Sequence, residues 1–207
     1  MRIRWAAVIA LALAAPLFSA AWAADEGKDA FTDEGFIRTW LVVAPIPLDE
    51  NQSGADGLAK EQIKDEAKLQ PKDGDKVKAG GKDLTWKKHK ADAHLVDFNG
   101  ILGNTTEDSV AYAVCYVVAD ADVKGVKMKT GSDDQLKVYL NGKKVFEFTD
   151  ARAADKDQDT TEVTLQKGVN VLVCKVVNEK MDWSLCVRFL DKDDNPVKNL
   201  KVQLTPK

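Results

Sequence analysis

Histidine is almost missing from this chain: His89 and His94 are the two in 207 residues. Serine is sparse as well, and no G-x-S-x-G occurs. A nucleophile elbow with its histidine base is thereby excluded, as are metal sites of the H-x-x-x-H and C-x-x-C kinds. No short E-x-D-x-E strand motif sets paired carboxylates on one face, which disfavours a two-carboxylate glycosidase. The chain is therefore expected not to be an enzyme. Cysteine is scarce and its count of three is odd, so at least one of Cys115, Cys174 and Cys186 has no partner within the chain. Cys115 and Cys174 lie in apolar runs and read as small core residues. Cys186 falls on the opposite face of its strand from Trp183, Leu185 and Val187. Pairing among the three stays open at this point.

An excess of one charge sign is also lacking. Thirty basic residues stand against 33 acidic ones, for a formal charge of −3, and the two signs are interspersed. That balance suits a soluble surface and argues against a nucleic-acid partner, which would favour a basic face. The basic run Lys87-Lys88-His89-Lys90 is flanked by Asp83 and Asp92 and reads as a solvated loop. Long apolar runs are missing after the first 23 residues. There, Arg2 and Arg4 precede the apolar stretch from Trp5 to Phe18, and Ala21-Trp22-Ala23 forms a small-x-small cleavage site. Residues 1–23 are thus expected to be a signal peptide, with no transmembrane segment after its removal. The mature protein is expected to be exported, to the periplasm or the cell exterior.

What is present is β-strand chemistry. After a polar lead-in over 24–35, expected to be disordered, Phe36 to Ile46 is apolar on both faces and reads as a central strand. Residues 49–82 form a charged excursion with one short amphipathic helix, Leu58 to Leu69. It holds too little apolar material for a core of its own. Ser109 to Val118 alternates cleanly: Tyr112, Val114, Tyr116 and Val118 share one face, Ala111, Ala113, Cys115 and Val117 the other. Leu136, Val138 and Leu140 alternate with Lys137, Tyr139 and Asn141, and Asn141-Gly142 supplies the positive φ angles of a two-residue hairpin turn. Further strands are expected at 123–130, 163–165, 169–177, 183–190 and 197–204. About eight or nine short strands at this spacing read as a sandwich or barrel. The fold class is therefore all-β: one antiparallel β-sandwich domain over 36–205, a jelly roll, with one short helix in a long charged insertion.

GSDDQLKVYLNGKKV from Gly131, VTLQKGVNVLVCKV from Val163 and WSLCVRFLD from Trp183 resemble a galactose-binding-like jelly-roll module of exported bacterial proteins. Trp40 to Pro45 resembles the opening strand of that family, and Glu66, Pro71, Gly74 and Trp86 follow in the order of its connecting segment. Such modules are often noncatalytic, and several bind carbohydrate. A more distant resemblance is to the sugar-binding domain of protective-antigen type. In that family an Asp-Asp pair on a loop, often with a cis peptide between its members, binds a calcium ion that holds sugar hydroxyls. The resemblance implies that role for Asp133 and Asp134, as metal and ligand-binding residues, and Asn141 occupies the place of that family's aspartate before glycine. Adjacent carboxylates suit a hard cation, which can in turn coordinate vicinal hydroxyls. The competing role for the pair is a turn in which aspartates cap backbone. Tyr139, opposite the apolar face of its strand, is the candidate aromatic platform for a sugar ring.

Two other acidic stretches carry no ion site. Asp155 to Asp159 opens like a calcium loop but has Thr160 and Gln166 where Gly and Glu are required. Asp191 to Pro196 reads as a hairpin turn. The expected function is an exported noncatalytic binding module for carbohydrate, with calcium as the one cofactor suggested. The alternative is a structural or protein-interaction scaffold of the cell envelope, with an envelope protein as partner.

Overall fold

The alternating segments pair as their sequences require. The computed structural model describes residues 29–207. The expected signal peptide 1–23, and the lead-in as far as residue 28, lie outside the described residues. The strands are β1 Thr39–Pro47, β2 Lys76–Ala79, β3 Lys82–Thr85, β4 Lys87–Lys90, β5 Val96–Asp97, β6 Ser109–Ala119, β7 Val123–Asp133, β8 Leu136–Leu140, β9 Lys143–Phe148, β10 Asp159–Leu165, β11 Gly168–Asn178, β12 Ser184–Leu190 and β13 Lys201–Gln203. The described residues also include the short helices α1 Gly54–Ala59 and α2 Phe98–Leu102 and a 3-10 turn, Glu66–Lys68.

The protein is an antiparallel β-sandwich. One sheet runs β4-β1-β6-β11-β8-β9, with β13 beside the far half of β6, and the other runs β10-β7-β12-β5. β2 and β3 form a separate hairpin. Ala111, Ala113, Cys115 and Val117 face inward from β6, as do Leu136, Val138 and Leu140 from β8. They join Met128, Leu185, Val187 and Phe189 of the smaller sheet in one buried cluster. The three cysteines are buried free thiols. Burial raises the pKa of each, because a thiolate loses its hydration there.

Several local readings change. The lead-in is packed over its described part: Ala30 is buried, Phe31 bridges Ile37, and Arg38 N–H donates to the Ala30 carbonyl at 2.8 Å. The basic run 87–90 is no loop but the edge strand β4, paired to β1 with Thr39 opposite Lys90 and Val42 opposite Lys87. The expected helix at 58–69 is instead α1, which ends at Ala59, and the 3-10 turn. Ser53 caps α1 by accepting from the Asp56 N–H at 3.2 Å. The Asn141-Gly142 turn forms as expected, with φ of 52° and 78°.

The excursion covers the outer face of the larger sheet, and its contacts there are polar. Tyr112, Lys137, Tyr139 and Lys175 project from that face. Glu66 of the excursion lies among them. Its carboxylate accepts from Lys175 Nζ at 3.2 Å, from Tyr139 Oη at 2.6 Å and from Tyr112 Oη. Lys137 Nζ donates to the Leu58 carbonyl at 2.6 Å, and Lys175 Nζ donates to the same oxygen at 2.9 Å. Tyr116 Oη reaches the Pro71 carbonyl at 2.6 Å. Lys175 and Tyr112 are fully buried, and Glu66 is 4% exposed. Desolvation pushes Lys175 down to about 8 despite the opposing pull of Glu66.

Two outcomes follow from this packing. None of the three thiols reacts with a disulfide reagent in the folded protein, and all three react once it is unfolded in urea without reductant. Glu66→Ala removes the ion-pair partner of the buried Lys175 ammonium and the acceptor of two phenols, and urea titration then shows a loss of about 3–5 kcal/mol.

Candidate functional site

The site lies at one end of the smaller sheet, where three strands bring oxygen-bearing side chains into a row. Ser184 on β12 pairs with Asp133 on β7 and, on its other side, with Asp97 on β5. Cross-strand neighbours share a face about 4.5–5.5 Å apart. Leu185 points into the core, so this row points outward. It floors a cleft of about 360 Å³ whose walls include Asn99, Thr105, Ala153, Ala154 and Asp182. Trp183 closes the inner side, its ring 5.1 Å from that of Phe98.

The two aspartates play different parts. The peptide between them is cis. Asp134 is a loop anchor: its Oδ1 accepts from Arg152 N–H at 3.1 Å and its Oδ2 from Glu179 N–H at 2.8 Å. One carboxylate thus ties down both loops that wall the cleft, 149–158 and 179–183. Arg152 reinforces the first loop. Its guanidinium makes a two-pronged contact with Asp159, donates to Ser132 Oγ at 3.0 Å, and lies 3.8 Å over the Phe148 ring. Asp133 is the open carboxylate. It is 8% exposed and lines the cleft without an ion-pair partner among the described residues. Desolvation first, then the charges of Asp134 and Asp182, push it up to about 6, against the pull of the Ala154 N–H.

The other predicted residues lie elsewhere. Tyr139 is no open platform, since its hydroxyl is bound to Glu66 beneath the excursion. Asn141 serves its turn: its Nδ2 donates to Asn170 Oδ1, and its Oδ1 accepts from Val171 N–H, both at 2.9 Å. The structure therefore brings Asp133 and Asp134 together and leaves Tyr139 and Asn141 apart from them. Among the described residues the large apolar side chains that stay exposed are Val169 and Met181; no aromatic ring is among them. Asp97, Asn99, Asp182 and Ser184 were not legible as site residues, because each stands in a different segment with no motif around it. In the calcium-loop look-alike, Asp157 pairs with Arg188 and Asp159 with Arg152.

For calcium the donor chemistry fits in part. Asp133 offers an uncompensated hard oxygen, with Asp182 and the hydroxyls of Ser184 and Thr105 lining the same cleft, and calcium accepts several neutral ligands; the Asn99 side-chain oxygen already accepts from the Thr106 N–H at 2.9 Å. Asp134 has an N–H on each carboxylate oxygen. Among the described residues no group of three or more His, Cys, Asp or Glu is set to hold a metal ion.

No family model matches the chain, and no curated protein matches it. Among solved structures, the PA14 domain of the antifreeze protein MpAFP is similar with a TM-score of 0.43 and 12% identity, over 81% of this chain and 91% of that one. The PA14 sugar-binding domain of an RTX adhesin is similar with a TM-score of 0.36 and 10% identity, over 77% of this chain and 94% of that one. Both are PA14 domains, and the galactose-binding-like label is not confirmed by them.

The open carboxylate carries a stability cost. The folded value for Asp133, about 6, lies above its ordinary 3.8, so the folded state holds the proton more tightly than the unfolded chain. The stability this contributes is present below about pH 4 and is lost as pH rises through 6. In metal-free buffer Asp133→Asn therefore stabilises the protein at pH 7, by roughly 1–2 kcal/mol once solvent screening in the open cleft is allowed for. The advantage disappears at pH 4, and paired thermal melts at the two pH values measure it.

Proposed function

We propose that this protein is a noncatalytic binding module that takes a polyhydroxylated ligand, a carbohydrate, in the Asp133 cleft. One observation carries the reading. The unpaired Asp133 carboxylate is held at the floor of a cleft rimmed by hydroxyl, amide and carboxylate groups. Carboxylate and amide oxygens accept from sugar hydroxyls, and a site of fixed polar groups discriminates between their arrangements. The proposal assigns calcium to Asp133, where the ion would offset the buried charge and could coordinate vicinal hydroxyls. Asp134 contributes by pinning the loops around it. The reading of residues 1–23 as a signal peptide supports a location outside the cytoplasm, in the periplasm or beyond the cell. Among the described residues no helix is long and apolar enough to cross a membrane.

A second reading, a scaffold of the cell envelope with a protein partner, is favoured by a specific observation. Every aromatic side chain among the described residues is at least partly covered, so no open ring platform is available for stacking a sugar.

A glycan array probed with the purified protein in calcium, and again with chelator, separates the two. The expected result is glycan binding that falls by about tenfold or more with chelator and with Asp133→Asn. Binding that survives both treatments moves the sugar away from this cleft. Silence on the array in both conditions overturns the carbohydrate reading in favour of the scaffold.

A further inference from the structure

A second hollow, larger than the Asp133 cleft, lies at the opposite edge of α2. It has a volume of about 560 Å³ and is lined by Val42 and Ala44 of β1, Leu84 and Thr85 of β3, and Ile101 and Leu102 of α2, with Lys87, Lys88 and His89 at its rim. The strand register explains the combination. Lys87 stands opposite Val42, and His89 opposite Trp40. Cross-strand partners share a face, so both basic side chains project on the side of the apolar floor. Leu84, Ile101, Leu102 and Ala44 are half-buried, which leaves apolar surface open to a ligand. No ion pair or hydrogen bond among the described residues holds the Lys87 or His89 side chain. Burial holds His89 below its ordinary value against the pull of Asp92 and Asp97, so the positive charge of the rim comes from the lysines, Lys87 and Lys88. None of these residues takes part in the Asp133 cleft except Asp97, which lies on its floor.

We propose that this groove is a second binding site, for a small amphiphilic carboxylate whose apolar body lies on Val42, Leu84, Ile101 and Leu102 and whose charged head meets Lys87. The volume lies within the roughly 300–1,000 Å³ of small-molecule sites, and the lining mixes polar and apolar surface, as an amphiphile requires. The charge on the rim selects an anion, since the ammonium forms a charge-assisted hydrogen bond with a carboxylate. Thr85 and His89 add neutral hydrogen-bonding capacity beside it. An extended peptide is a poorer match. Adding a strand to β4 needs its free backbone groups, and the Lys88 N–H is already taken by Asp73 Oδ1 at 2.8 Å.

The test is a titration of the full chain with octanoate, octylammonium and octyl glucoside, three probes with the same tail and different heads. Methyl chemical shifts of valine, leucine and isoleucine report where each one sits. Octanoate is expected to produce saturable shifts at Val42, Leu84, Ile101 and Leu102. Its affinity falls by about tenfold or more in Lys87→Glu, whose exposed position leaves the fold intact, and is unchanged in Asp133→Asn. Equal affinity for all three probes, octanoate shifts confined to other methyls, or no saturable shift overturns the proposal. None of these outcomes bears on the carbohydrate reading, which rests on the other side of α2.

Discussion

The carboxylate of Glu66 meets an ammonium and two phenols inside the protein, and the shape of the accessible surface depends on that meeting. The outer face of the larger sheet bears Tyr112, Lys137, Tyr139 and Lys175. Left bare, it would be a broad polar-aromatic surface of the kind that binds ligands. Glu66 and the carbonyls of Leu58 and Lys60 take up those donors. Each buried donor needs such a partner, because an unmade hydrogen bond costs about 1–3 kcal/mol and an unpaired charge more. The excursion is thus fixed over the sheet although its own apolar content is small. With that face closed, open concave surface is left at the rims of the sandwich.

Both hollows discussed above lie on such rims, and the five-residue helix α2 separates them. Asn99 faces the Asp133 cleft, while Ile101 and Leu102 face the second groove. α2 holds its place through Asp97, which caps it by accepting from the Gly100 N–H at 2.9 Å, and through Phe98 against Trp183. The proposed Asp133 site also differs from the packing around it. Asp134, its neighbour in sequence, has every charge-bearing oxygen satisfied and contributes order. Asp133 is held by the same strand in a position where its charge is disfavoured. Proteins keep such groups where function gains from them at the expense of stability.

Much of the sandwich was legible from residue alternation. Ser109 to Val118 and Leu136 to Leu140 could be assigned to faces without coordinates, and the Asn141-Gly142 turn followed from its demand for positive φ. Where the reading failed, the cause was a tertiary partner. Lys87 to Lys90 resembles a loop because four hydrophilic residues in a row have no apolar face, yet β1 offers them a ladder. Lys175 stood inside the run VLVCKVV, and a lysine within a strand apolar on both faces was a sign that an acid would be found above it. Tyr139 had the right parity for an exposed platform, and only the fold of the excursion covers it.

Sequence alone determined the strand faces, the hairpin turn and the antiparallel sandwich, because those follow from local periodicity and backbone preference, which act over a few residues. It also singled out the Asp133-Asp134 pair. Tertiary structure decided which of the two aspartates is open, that Asp97 and Ser184 stand beside it, and that the outer face of the larger sheet is closed. Those outcomes depend on the pairing register of β5, β7 and β12 and on contacts such as Glu66 to Lys175, 109 residues apart. No local pattern encodes them, since the free energy of a charged group is set by what surrounds it in space.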